Sequence, residues 1–229
     1  MVVLTLETVT PEGSVALWRD GVVEGVLGDG ATPHAARLPG ALLDFLDERG
    51  LTLDAIDRLS VVSGPGSFTG VRIGMACAQG LADTRGWLVS PVSTLDALAE
   101  GLVTAVRPHA CQVLACLDGM RGEVFTALYQ WDGSRLGPGS EAVVGTADTL
   151  TFDVANGPVV AVGNGAMRYA DVLSQRGVSV QPAAEPIAAS AARLAARDDW
   201  PRVAPAALRP AYVRRPDVEL ARERRAAQQ

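Results

Sequence analysis

Two carboxylates and one glycine-rich turn carry most of the chemistry this sequence offers. Glu7 and Asp118 stand at the same place in two copies of a strand pattern, where a pair of acids can hold a magnesium ion between lobes or serve as a general base. The plainer role of such acids is to end strands and bind turn amides, and no metal site is assigned. The turn Gly64-Pro-Gly-Ser-Phe-Thr-Gly70 opens a helix, and free amides at a helix N-terminus attract anions, so Gly66 and Ser67 are candidates to cradle phosphate. Against this, proline removes one donor and capping by Ser67 uses another. Arg121, between Gly119 and Gly122, sits in a short hairpin that can reach a ligand in a cleft or be a simple turn. Ser67 has no histidine nearby in sequence and completes no triad, so no catalytic residue is assigned.

Composition removes several alternatives. All 20 basic residues are arginine, which excludes a Walker lysine, a Schiff-base lysine and a lysine general base. His34 and His109 are far apart and neither belongs to a His-Glu-x-x-His pattern, which disfavours a metallopeptidase. Cys77, Cys111 and Cys116 are odd in number, and the last two fall on opposite faces of a strand, so neither a disulfide nor zinc is expected. A net charge of -6 disfavours a broad nucleic-acid surface, so any RNA contact should be local or made by a partner. Arginines concentrate in the tail at Arg209, Arg214, Arg215, Arg222, Arg224 and Arg225, where a solvated terminus is the simplest explanation. No apolar run reaches the roughly 18 residues of a membrane span, and the start lacks a signal-peptide pattern. A cytoplasmic protein with no membrane contact is expected.

The elements that must position these residues follow from periodicity. Val2 to Leu6, Ser14 to Arg19 and Val22 to Leu27 read as a meander, with Asp20-Gly21 as a two-residue hairpin turn. A helix runs from near His34 to Gly50 with Leu38, Leu42, Phe45 and Leu46 on its apolar face. Arg58 to Ser63 is a strand, and Thr94 to Val106 a helix capped by Ser93. From Val113 the arrangement returns: a strand ending at Asp118, a strand Glu123 to Tyr129, a strand Val159 to Gly163, then helices over Met167 to Arg176 and Ile187 to Arg197. Two copies of one α/β plan are predicted, with an N-terminal lobe over 1–106 and a C-terminal lobe plus arginine-rich tail over 107–229.

The helix after the turn carries Gly70, Gly74, Ala78 and Ala82 along one stripe and Arg72 as its sole charge over 68–82. Small residues in line permit close approach, and with Val71 and Met75 turned to the chain's own core, a second subunit is expected on the stripe. A bulky residue at Gly74 should then break association without unfolding the chain. Arg72 is expected to reach an acid or a carbonyl cluster, or else to snorkel to the surface.

Taken in order, Gly64-Pro-Gly-Ser-Phe-Thr-Gly-Val-Arg-Ile-Gly74, Ala78-Gln-Gly-Leu-Ala82, Ser14-Val-Ala-Leu-Trp18, Val92-Ser-Thr-Leu95 and Asp118-Gly-Met-Arg-Gly-Glu123 resemble the TsaB (YeaZ) family over nearly the whole chain. The resemblance implies duplicated ribonuclease-H-like lobes of the actin, sugar-kinase and Hsp70 superfamily. It implies a non-catalytic subunit that pairs with the catalytic paralogue TsaD, which makes threonylcarbamoyladenosine at position 37 of tRNAs reading ANN codons. The ATPase subunit TsaE joins the complex, ATP and magnesium are used by the complex rather than bound firmly by this chain, and members alone form homodimers. The implied partner interface is the helix pair bearing His34, Leu38, Leu42 and Phe45, and Phe68, Gly70, Arg72, Gly74, Ala78 and Ala82. Where the family's first strand usually ends in Asp-Thr, this chain has Glu7-Thr8. The rival is a free-standing ATP-dependent kinase or hydrolase of the same superfamily, using Glu7 or Asp118. A peptidase and a direct RNA-binding module are further alternatives.

Overall fold

The computed structural model describes residues 1–27 and 34–213, with residues 25–27, 34–37 and 39 described by their backbone alone. The elements run β1 (Val2–Glu7), β2 (Ser14–Arg19), β3 (Val22–Leu27), α1 (His34–Asp47), β4 (Arg58–Val62), α2 (Phe68–Arg85), β5 (Val89–Val92) and α3 (Thr94–Val106). They continue with β6 (Cys111–Asp118), β7 (Glu123–Trp131), β8 (Val143–Thr146), β9 (Val159–Val162), α4 (Asn164–Arg168), α5 (Ala170–Gln175), β10 (Val178–Gln181) and α6 (Ile187–Ala195).

The duplication is complete in the two sheets, while among the described residues α1 has no α-helical counterpart between β8 and β9. One sheet has the order β3-β2-β1-β4-β5 and the other β8-β7-β6-β9-β10. In each, three strands form an antiparallel meander and two more run parallel to the first. This is the α/β plan of two ribonuclease-H-like lobes. Asp20 and Gly21 both take positive φ at the β2–β3 turn, as a two-residue hairpin requires. The central strands β1 and β4 are buried on both faces, which is why they read as nearly continuous apolar runs. Two edge elements, β8 and β10, were not expected, and the helix predicted from Met167 is two short helices that begin at Asn164 and break at Tyr169.

Two helices exchange sheets. α3 follows β5 of the first sheet, yet Leu95, Leu98 and Leu102 pack with Val113, Ala115 and Phe125 of the second. α6 follows β10 of the second sheet and returns to the first, where Ala188, Ala189 and Ala192 lie against Ala16. The two helices cross where Gly101 meets Ser190, so closely that a Cβ at 101 would sit 2.6 Å from the Ser190 hydroxyl. The remaining chain straps the first lobe: Val203 pairs with Val89, Trp200 Nε1 donates to Pro91 O at 3.1 Å, and Ala211 N donates to Ser63 O at 2.8 Å.

α6 can lie close because the strands beneath it offer small side chains. Ala16, Thr5, Ser60 and Ser90 are register partners across β2, β1, β4 and β5, and so share one face. The hydroxyls of Thr5, Ser60 and Ser90 are buried there without a hydrogen-bond partner among the described residues. An unmatched buried hydroxyl is destabilising, and Ser60→Ala removes it at nearly constant shape. Urea unfolding should therefore show Ser60→Ala equal to the parent or more stable by about 1 kcal/mol. A loss of stability of that size would mean that the Ser60 hydroxyl is bonded.

Candidate functional site

The glycine-rich turn seats α2 on its own chain. Ser67 caps the helix by accepting from Gly70 N at 3.1 Å, while its own amide donates to Val9 O at 2.9 Å. Gly66 has φ +155, and a Cβ there would lie 2.7 Å from Val9 Cβ. Farther along, Thr8 Oγ1 donates to Gly70 O at 2.6 Å. A Cβ on Gly70 would overlap the Thr8 carbonyl oxygen, and one on Gly74 the Thr8 hydroxyl. The turn's amide and hydroxyl at Ser67 are thus committed within the chain.

This geometry corrects the expected interface. Gly70, Gly74, Ala78 and Ala82 are all buried against β1, β4 and the Thr8–Val9 loop, and Leu38, Leu42 and Phe45 are buried in the core of the same lobe. Helical spacing identifies a stripe that needs close approach, but it is silent on whether the approaching backbone belongs to the same chain. Gly74→Leu is accordingly a folding lesion rather than a test of association. Of the ten residues assigned to the interface, Phe68 and Arg72 are exposed, seven are buried, and the side chain of His34 lies outside the described residues. The tail arginines Arg214, Arg215, Arg222, Arg224 and Arg225 also lie outside them.

α2 does have a free face, rotated from the glycine stripe. Phe68, Thr69, Arg72, Ala76 and Gly80 are exposed along it, with Ile73 and Cys77 half-buried. Neighbouring α1 exposes Gly40 and Leu43, the latter at 55%. Among the described residues Arg72 reaches neither an acid nor a carbonyl: its Nε donates to the Tyr212 hydroxyl at 2.9 Å and its guanidinium lies 3.8 Å above the Phe68 ring.

Glu7 is enclosed and holds helix α6. Its carboxylate accepts from Thr10 N at 2.8 Å, from the Thr10 hydroxyl, and from Ser14 Oγ at 2.7 Å. Ser14 Oγ in turn accepts from Ala188 N, in the first turn of α6. At the other end of α6, Arg58 Nη1 donates to the carbonyls of Ala195 and Arg197 at 2.9 and 3.1 Å. An acid near the N-terminus and a cation at the C-terminus both suit the helix dipole. Burial pushes the Glu7 carboxyl above its ordinary range, with the hydrogen bonds from Ser14 and Thr10 opposing that shift.

The raised value fixes a sign. The folded chain holds the Glu7 proton more tightly than the unfolded chain, so the stability linked to it is full below the ordinary glutamate pKa of about 4.3 and declines as pH rises through the folded value. Glu7→Gln removes that titration. Urea midpoints at pH 5 and pH 8 should differ less in Glu7→Gln than in the parent, and an equal difference would contradict the assignment.

Asp118 is likewise engaged. Its Oδ1 accepts from Met120 N at 3.0 Å and its Oδ2 from Arg168 Nη1 at 2.7 Å, while Asn164 Oδ1 accepts from its amide. Met120 and Arg121 form the tip of the β6–β7 hairpin, both with positive φ, and Met120 is 65% exposed. The two halves are related but offset: Gly163 and Gly165 press on Cys116 and Leu117, before Asp118 at the end of β6, whereas Gly66 and Gly70 press on Val9 and Thr8, after Glu7.

With this geometry established, similarity to known proteins decides the family. The family model described as TsaD, tRNA N6-adenosine threonylcarbamoyltransferase, matches residues 26–211. The tRNA threonylcarbamoyladenosine biosynthesis protein TsaB of Escherichia coli strain K12 is 35% identical over 195 residues, spanning 81% of this chain and 83% of that protein. The chain belongs to the TsaB (YeaZ) family. A solved structure of YeaZ from Pseudomonas aeruginosa is 32% identical with a TM-score of 0.76, covering 92% of this chain and 99% of that one. Another, described as an uncharacterized Pseudomonas aeruginosa protein with similarity to peptidase YeaZ, has a TM-score of 0.79 at 32% identity, covering 93% and 99%. The TsaB-family fold therefore extends over both sheets.

Within this TsaB-family fold the nucleophiles are poorly placed for chemistry. Burial raises the thiols of Cys77 and Cys111, and burial followed by the charge of Asp118 pushes Cys116 up to about 12, so thiolate is scarce at neutral pH. Cys111 and Cys116 pack into different apolar clusters on opposite faces of β6. The cleft where α3 and α6 cross, lined by Gly101, Leu102, Glu185 and Ser190, holds a cavity of about 10 Å³, the space of one water. No described helix is long and apolar enough to cross a membrane.

Proposed function

We propose that this chain is the non-catalytic subunit that binds and activates the catalytic paralogue TsaD in forming threonylcarbamoyladenosine at position 37 of ANN-decoding tRNAs. The observation that carries this reading is membership in the TsaB family, whose Escherichia coli relative is named for threonylcarbamoyladenosine biosynthesis. Internal bonding of the acids supports it: Glu7 binds Thr10 and Ser14, and Asp118 binds Met120 N and Arg168, which are the duties of structural carboxylates. The contact with TsaD is made by the outer face of α2 and adjoining α1, centred on Phe68, Arg72, Ala76 and Leu43. Like packs against like there, because the partner's own family model matches this chain from residue 26 to 211, across both helices.

The chain works in the cytoplasm, forms homodimers when alone through the same face, and meets tRNA through its partner. TsaE completes the complex, whose ATP and magnesium are used by the assembly. Two measurements on the purified chain separate this reading from a free-standing kinase or hydrolase. Mixing with the same organism's TsaD should give a complex of defined stoichiometry in size-exclusion chromatography with light scattering, and the chain alone should show no steady ATP hydrolysis. Turnover that disappears in Glu7→Gln or Asp118→Asn would transfer the case to the enzyme.

A further inference from the structure

We infer that Arg72, fixed in place by Phe68 and Tyr212, is the anchor through which the α2 face recognises a carboxylate on its protein partner, an inference that rests on the pairing proposed above. Arginine side chains on a helix surface normally sample many rotamers, and this one is restrained twice. Its guanidinium stacks 3.8 Å over the Phe68 ring, and its Nε is occupied by the Tyr212 hydroxyl at 2.9 Å. Tyr212 itself stacks on Phe68, with ring centroids 5.2 Å apart and planes inclined by 28°. The strap that carries it is tied down one residue earlier, where Ala211 N donates to Ser63 O and the Ala211 carbonyl crosses Gly64, with room for no larger residue.

The restraint leaves the recognition end open. Among the described residues, Nη1 and Nη2 of Arg72 have no hydrogen-bond or ion-pair partner. A planar guanidinium with one edge already bonded and the other two nitrogens presented outward matches a carboxylate with two parallel hydrogen bonds. Pre-ordering lowers the entropy lost on binding, and arginine beside aromatic rings is the composition found where interfaces concentrate their energy.

The surroundings choose between a protein carboxylate and a nucleic-acid phosphate. Beside Arg72 the face is apolar and small, with Ile73, Ala76, Cys77 and Gly80, while Asp44 and Asp47 are exposed on α1 and Asp83 on α2, and Arg85 at the far end of α2 is paired with Asp54. An acidic flank on a chain of net charge -6 repels a polyanion but tolerates one buried aspartate or glutamate from a partner whose neighbouring surface is apolar. Tyr212 is then a positioning residue, acting on binding through the orientation of Arg72.

Titration calorimetry with the same organism's purified TsaD tests this. Arg72→Gln should weaken binding by about tenfold or more, and Arg72→Lys should fail to restore it, since a lysine keeps charge without the fork. Tyr212→Phe, which retains the stack and removes the hydrogen bond, should weaken binding by about threefold in the parent and have no further effect on the Arg72→Gln background. Thermal midpoints should stay at the parent value throughout. Arg72→Gln binding within about twofold of the parent, while Ala76→Arg on the same face destroys the complex, would overturn the anchor and leave the face standing. If Ala76→Arg also binds normally, the pairing itself fails. An effect of Arg72→Gln confined to self-association or to tRNA binding by the isolated chain would overturn the choice of partner.

Discussion

Gly70→Val should leave little or no folded protein. The Cβ of any residue at 70 falls on the Thr8 carbonyl oxygen, and that oxygen is backbone, immobilised by the β1–β2 loop. The collision has no cheap relief: moving α2 outward pulls Gly70 O from the Thr8 hydroxyl and opens the contacts of Gly74 with Thr8 and Val61. Overpacking normally costs about 1–3 kcal/mol, and a Cβ placed on fixed backbone belongs to the exceptional class above about 4 kcal/mol. That is a large share of the roughly 5–15 kcal/mol that stabilises an ordinary domain. Gly74→Leu should fall in the same class. Gly80→Ala is the control, because nothing lies within 4 Å of its added Cβ on the exposed face of the same helix. It should stabilise the chain by about 0.5–1 kcal/mol. Soluble yield and urea unfolding of the three variants check the set, and a normally stable Gly70→Val would mean that α2 is not seated on Thr8.

Ala76→Arg should have the opposite profile, a normal fold and a lost complex. Ala76 is exposed, arginine is a good helix former, and no described contact of the monomer is disturbed. On a face where small residues let a partner's helix approach, a long cation must displace that helix or be buried without a counter-charge. The expected loss is about 2–4 kcal/mol of binding, or about 30- to 1000-fold in Kd. Calorimetry against TsaD, with circular dichroism on the free variant, separates it from a folding defect. Unchanged affinity would remove the α2 face from the interface.

These two variants also mark where the sequence was legible and where it was not. Local patterns were legible: Ser93 caps α3 over Thr94–Val106, Asp20-Gly21 makes the β2–β3 turn, and of the two cap candidates that the turn offers α2, Ser67 and Thr69, Ser67 is the one used. Each depends on neighbours within a few residues, so the chemistry is present in the string of letters. The duplicated meander was visible for the same reason, through apolar strands and the Asp-Gly pairs at 20–21 and 132–133. β8 and β10 are four-residue edges, and they escaped because Val-Val-Gly-Thr does not alternate and Val-Ser-Val-Gln alternates over too short a run to stand out.

What failed was everything set by distant chain. The glycine stripe of α2 is covered by Thr8, 62 residues earlier, and Glu7 reaches the first turn of α6 through a contact spanning 174 residues. Arg72 meets Tyr212 across 140 residues. Spacing along a helix tells which side needs small residues, and composition tells that a buried acid needs donors, but neither supplies the identity of the covering segment. The strap that returns over the first lobe has no periodic signature at all, since it is held by single bridges such as Val89 with Val203.

The central claim is that the chain supports a transfer it does not perform. Threonylcarbamoyl transfer to an ANN-decoding tRNA should be measured with purified TsaD and TsaE, adding the parent chain, the Ala76→Arg variant, or neither. The account predicts sustained product only with the parent chain, and none from the chain without TsaD. Equal product with and without it, or transfer by the chain alone, would contradict the account.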